Sequence, residues 1–112
     1  MPPQASPLLK GTLDVLVLKA LSWGAMHGFE ITVWLEERSG GHLAVDDGAL
    51  YQSLHRMEER RLLKAEWGIT ENNRRARYYS LTATGRAHLR AESATVVQSA
   101  RSVMAILGDA PA

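Results

Sequence analysis

Asn72, Asn73, Arg74 and Arg75 stand together in a polar stretch between two segments of alternating apolar residues, Leu62 to Ile69 and Arg77 to Leu81. The alternation predicts a pair of strands, and Glu71-Asn72-Asn73 is turn composition, so this polar stretch falls at the tip of a hairpin. Guanidinium groups on a projecting tip suit phosphate, because each presents a planar fork of N–H donors with a fixed charge. They can also enter the narrow minor groove of a duplex. Arg77 continues the basic row into the second strand. A hairpin that is merely solvated would carry a more mixed set, with Lys, Glu, Gly and Ser.

Immediately before the hairpin, Leu50, Leu54 and Met57 recur at helical spacing, i, i+4 and i+7. Gly48, Gln52, His55, Arg56 and Glu59 fall on the opposite face of that helix, and Tyr51 and Ser53 flank it. Glutamine can read adenine and arginine can read guanine in a major groove, while serine or tyrosine can hydrogen-bond phosphate. An ordinary amphipathic surface helix would show the same split. A helix of this kind followed by a basic hairpin is a more specific signal than either part.

Other chemistries lack their residues. With no cysteine in the chain, disulfides, thiolate metal sites and cysteine nucleophiles are excluded. The histidines, His27, His42, His55 and His88, have no metal-ligand spacing. His27 reads instead as a capping or packing residue at the start of a helix. No Ser/His/Asp set is credible, and Gly40-Gly41 is not a phosphate loop. We therefore expect no catalytic residue, no metal, no cofactor and no enzyme.

The elements that must position these groups can be read in order. The chain has 112 residues, the size of one domain, and a formal net charge of +1. Its charge is unevenly spread. From Glu30 to Asp47 five acids face Arg38 alone, a net of −4, whereas from His55 to Ser80 seven bases face four acids, a net of +3. A basic half-surface is what phosphate contact requires. Residues 1–7 read as a flexible Pro-rich tail. A core helix is expected over 8–21, from Leu9, Leu13, Leu16, Val17, Ala20 and Leu21. A second follows His27-Gly28 and ends near Ser39-Gly40-Gly41. The third starts at an N-cap, Asp46 or Asp47, and runs to about Arg60. After the hairpin, Thr82 with Thr84 and Gly85 starts a last helix from about Ala83 to Leu107, ending at Gly108, with a short tail over 109–112. Trp67 is expected to pack the hairpin on the helices, and Trp23 and Trp34 to pack in the core.

This order of elements, mainly α with some β, is that of a winged helix-turn-helix over 8–82, with a two-stranded wing and an added long helix over 83–108. Leu89, Val96, Ala100, Val103 and Leu107 line that helix as a coiled-coil-like stripe, widened by Val97 and Met104. Its ~25 residues extend ~37 Å at ~1.5 Å per residue, longer than a small domain can cover. Burial against a second copy is the natural solution, although a helix folded back on its own domain would also hide the stripe. A two-fold dimer would meet a palindromic duplex. No apolar run approaches the ~20 residues that span a bilayer, and no signal peptide is visible. A cytoplasmic location without a membrane partner is expected.

HGFEI (27–31), GALYQSLHRMEE (48–59), LKAEW (63–67) and RRARYYSLTATG (74–85) together resemble the PadR transcriptional regulators. The resemblance covers about Leu8 to Leu89. Phe29 stands where that family usually has tyrosine, Gln52 where proline is common, and Arg61 where glycine commonly turns the helix into the wing. The resemblance implies a short-chain dimeric DNA-binding repressor with a single C-terminal dimerisation helix. It also implies a small effector, with flat aromatic compounds as the class. A protein-interaction module that uses the same fold without DNA is the alternative.

Overall fold

The computed structural model describes residues 7–108, so residues 1–6 of the tail expected over 1–7, and the tail expected over 109–112, lie outside the described residues, while Pro7 belongs to the first helix and not to the tail. Helix α1 (Pro7–Leu21) is followed by a short strand β1 (Met26–His27), then helices α2 (Gly28–Arg38) and α3 (Asp47–Glu59). Strands β2 (Leu63–Ile69) and β3 (Arg75–Leu81) form the hairpin, and α4 (Ala83–Leu107) closes the chain. The winged helix-turn-helix expectation holds, with one addition. The sheet is three-stranded and antiparallel in the order β1-β3-β2, because Met26 pairs with Tyr79 and His27 with Tyr78.

Each of the last three helices starts at a side chain that supplies an acceptor for an orphan amide. His27 caps α2 with a reciprocal pair: its Nδ1 accepts from the Glu30 amide at 3.3 Å, and its own amide donates to Glu30 Oε1 at 3.1 Å. Asp46, not Asp47, caps α3 by accepting from the Ala49 amide at 3.1 Å. Thr82 caps α4 by accepting from the Gly85 amide at 3.0 Å.

The end of α3 shows why Arg61 does not disturb the fold. The Leu62 amide donates back to the Met57 carbonyl and the Arg61 amide to the Glu58 carbonyl, both at 2.9 Å. This is a Schellman end, which puts the residue after the cap in the left-handed region, and Arg61 has φ 61°. Glycine adopts that conformation without a Cβ penalty. Arg61→Gly is therefore expected to raise stability by roughly 0.5–1 kcal/mol, read as a higher urea midpoint with an unchanged slope.

The core gathers Val17, Leu18, Ala20 and Leu21 of α1, Ile31 and Leu35 of α2, and Leu50, Leu54 and Met57 of α3. Leu62, Leu63, Tyr79 and Leu81 close it from the sheet. At ~25 cal/mol per Å² of apolar surface, this burial is what anchors both the wing and α3. Helix α4 packs on α1 and β3, with Leu89 joining the core and half-buried positions recurring as far as Ser99. From Ala100 onward α4 is exposed throughout, and the molecule measures 55 × 30 × 24 Å.

Candidate nucleic-acid interface

Helix α3 lies between two ion pairs, one on each flank. On one side Asp14 of α1 accepts from Ser53 Oγ at 2.6 Å and pairs with the Arg56 guanidinium at 2.7 Å. On the other, Glu58 pairs with Arg77 of β3 at 2.8 Å. Gly48, Gln52, His55 and Glu59 occupy the solvent face between these flanks, and all are exposed. Tyr51 is half exposed, and its hydroxyl end rests against Gly28, where an added Cβ would lie 3.0 Å from Oη.

Three of the expected site residues have partners of their own in the structure. Ser53 is fully buried and spent on Asp14, so its hydroxyl is not offered to phosphate. It sits toward the core side of the flank, and the short side chain reaches only α1. Arg56 and Arg77 hold intramolecular carboxylates instead of standing unpaired on the surface. Arg77 also lies over the Tyr79 ring at 5.9 Å. Burial pushes the Tyr79 hydroxyl pKa upward, opposed by the Arg77 charge.

The wing tip is built as its composition suggests. The Thr70 amide donates to the Arg74 carbonyl at 2.8 Å, and the Asn73 amide to the Thr70 carbonyl at 2.9 Å. Asn73 takes the left-handed conformation with φ 60°, which asparagine tolerates better than most residues. Asn72, Asn73, Arg74 and Arg75 are all exposed. Strand β3 begins at Arg75, two residues earlier than the alternation suggested, so Arg75 belongs to the strand and not to the tip.

Trp67 does not pack the hairpin on the helices. It is 63% exposed and carries the Arg75 guanidinium 4.7 Å from its ring centroid. The hairpin outruns the helical body, so the inward face of β2 reaches solvent at Trp67 and Ile69. Phe29, in the first turn of α2, is also exposed, a feature that the motif alone does not reveal. Trp23 is likewise not in the core. It is 64% exposed, and Arg38 lies between it and Trp34, 5.2 and 5.0 Å from the two rings. Only Trp34 packs partly on the core.

The α2 start, α3 and the wing enclose an open groove of ≈ 1030 Å³. His27, Phe29, Tyr51, His55, Arg74 and Arg75 are among its lining residues. No group of His, Asp and Glu able to hold a metal ion occurs among the described residues. Nor is any described helix long and apolar enough to cross a membrane.

On α4 the expected stripe divides. Leu89 packs on its own core, which removes it from the free stripe. Val96 is half-buried, and Ala100, Val97, Val103, Met104 and Leu107 are exposed. Ile106, off the stripe, is exposed as well.

A sequence model described as the transcriptional regulator PadR-like family matches residues 17–91, well over half of the chain. The chain belongs to the PadR-like family. That membership makes it a transcriptional regulator and not an enzyme. Solved structures share the fold. A PadR-like transcription factor from Bacteroides fragilis is 28% identical, with a TM-score of 0.68 over 87% of this chain and 91% of that one. A transcriptional regulator from Clostridium thermocellum is 21% identical, with a TM-score of 0.77 over 90% of this chain and 95% of that one. PadR of Bacillus subtilis, solved in complex with operator DNA, is 22% identical with a TM-score of 0.63. That match covers 70% of this PadR-like chain and 45% of the other.

Proposed function

We propose that this PadR-like regulator is a homodimeric, sequence-specific DNA-binding protein of the cytoplasm. One observation carries the reading: exposed Tyr51 and His55 of α3 and exposed Arg74 and Arg75 of the wing line the same groove. In this reading Gln52 and His55 face base edges, and the wing arginines hold phosphates. The complex of Bacillus subtilis PadR with operator DNA supports the same use of this fold. The repressor role, and release by a small aromatic effector, follow from the family resemblance.

The duplex spanning the gene's own upstream region is the first probe. A shifted complex that weakens steeply with salt is expected. Complete absence of a salt-sensitive complex on that duplex and on selected random-sequence duplexes would overturn the reading.

The dimer is proposed to form through Val96, Val97, Ala100, Val103, Met104 and Leu107. Met104 and Leu107 are 70% and 75% exposed, a large apolar area for a monomer to leave in water. Val103→Glu combined with Met104→Glu is expected to convert a dimer to a folded monomer in sedimentation velocity. Operator affinity should fall with it, because a two-fold site then meets one half at a time. A dimer that persists in this variant would place the interface elsewhere.

A further inference from the structure

Asp14 is the one acid of α1 among the described residues, and it touches α3 twice. Both contacts use the same oxygen, Oδ1: Ser53 Oγ at 2.6 Å and Arg56 Nη2 at 2.7 Å. Their surroundings differ. Ser53 is fully buried, whereas the Arg56 side chain is 49% exposed and that of Asp14 18%. The hydroxyl contact is therefore locked in the packing, while the guanidinium contact is open to competition from solvent-borne anions. Arg56 lies one helical turn after Gln52, on the flank of the face proposed for DNA.

We infer that Arg56 is a two-position residue, and that Asp14 is a built-in competitor of the DNA backbone for it. In the free protein Asp14 holds Arg56 along the side of α3. On a duplex, the guanidinium turns from the carboxylate to a phosphate beside the helix, since both are matched by the same fork of donors. Ser53 stays on Asp14, so α1 and α3 keep their contact while the arginine moves. Asp14 thus lowers affinity for every duplex on which Arg56 must leave it, and Arg56 stays on Asp14 where no phosphate is well placed to take it. This inference rests on the DNA-binding reading above.

The test is a cycle of operator affinities at fixed salt: wild type, Asp14→Asn, Arg56→Ala and the double variant. Asparagine keeps an oxygen for Ser53 but not the charge that holds Arg56. Asp14→Asn is expected to tighten binding roughly threefold to tenfold when Arg56 is present, and clearly less when it is alanine. The gain that remains in the Arg56→Ala background measures the removal of one acid near DNA. Equal gains in both backgrounds, or weaker binding of Asp14→Asn with Arg56 present, would overturn the inference while leaving DNA binding standing. If wild type itself binds no duplex, both fall together.

A second measurement needs no variant. The guanidinium ¹⁵N signals of Arg56 in the wild-type protein should shift when the upstream duplex is added. Signals that stay in place in a saturated complex would show that the arginine never leaves Asp14.

Discussion

Replacing Arg74 and Arg75 together by alanine is expected to weaken binding to every duplex by about 10-fold to 100-fold. The slope of log affinity against log salt should become shallower by about 1.8, at about 0.9 for each phosphate that is no longer neutralised. The effect should be uniform across sequences, because phosphates carry no base identity. Both residues are exposed at or beside the wing tip, so the fold should lose little. The one structural interaction removed is the stack of Arg75 on Trp67, about 0.5–1 kcal/mol for an exposed pair. Affinity titrations over a range of salt concentrations decide the matter. An unchanged slope would mean that the wing does not grip the backbone, whatever happened to the affinity at one salt.

The second large effect concerns folding. At Gly85, an added Cβ would fall on the Leu62 carbonyl oxygen, which is backbone and cannot swing aside. That carbonyl also accepts from the Thr82 amide at 3.1 Å and from Thr82 Oγ1 at 3.1 Å. Relief of the clash must therefore pull the start of α4 away from the end of α3 and strain the Thr82 cap. Gly85→Ala is expected to cost about 3–5 kcal/mol, a large share of a typical domain's stability. Gly48→Ala provides the contrast. There the new methyl meets only Asp46 Oδ2 at 3.0 Å, the oxygen that caps α3, so a loosened cap offsets the up to about 1 kcal/mol by which alanine favours the helix, and a net change of less than about 1 kcal/mol is expected. Chemical denaturation of both variants checks the difference. Gly85→Ala within about 1 kcal/mol of wild type would refute the close approach.

Local signals are legible in the sequence, and distant partners are not. The caps at Asp46 and Thr82 depend on amides three residues away, so their side-chain types announce them. The core face Leu50, Leu54 and Met57 follows from periodicity, and the limits of α4 from Thr82 before it and Gly108 after it. Strand β1 escapes a sequence reading because it has only two residues and exists through pairing with Tyr78 and Tyr79, some fifty positions on. Ser53 and Arg56 look like surface groups on a helical wheel, and only α1 folding against α3 brings Asp14 to them, 39 and 42 residues away. Trp67 is misplaced for a different reason. Alternation gives the face of a strand, but not where the body beneath that face ends.

The Leu62 peptide has a mechanical consequence. The Schellman turn of α3 ends there, β2 starts one residue later, and the cap and first turn of α4 rest on its carbonyl. The end of α3 and the start of α4 are thus tied to one peptide group with no loop between them to absorb a displacement. A twist applied far out on α4 by the second subunit of the proposed dimer would reach α3 as a change of tilt. In the proposed dimer, the angle at which the paired helices cross would then set the spacing and pitch that the two reading helices present.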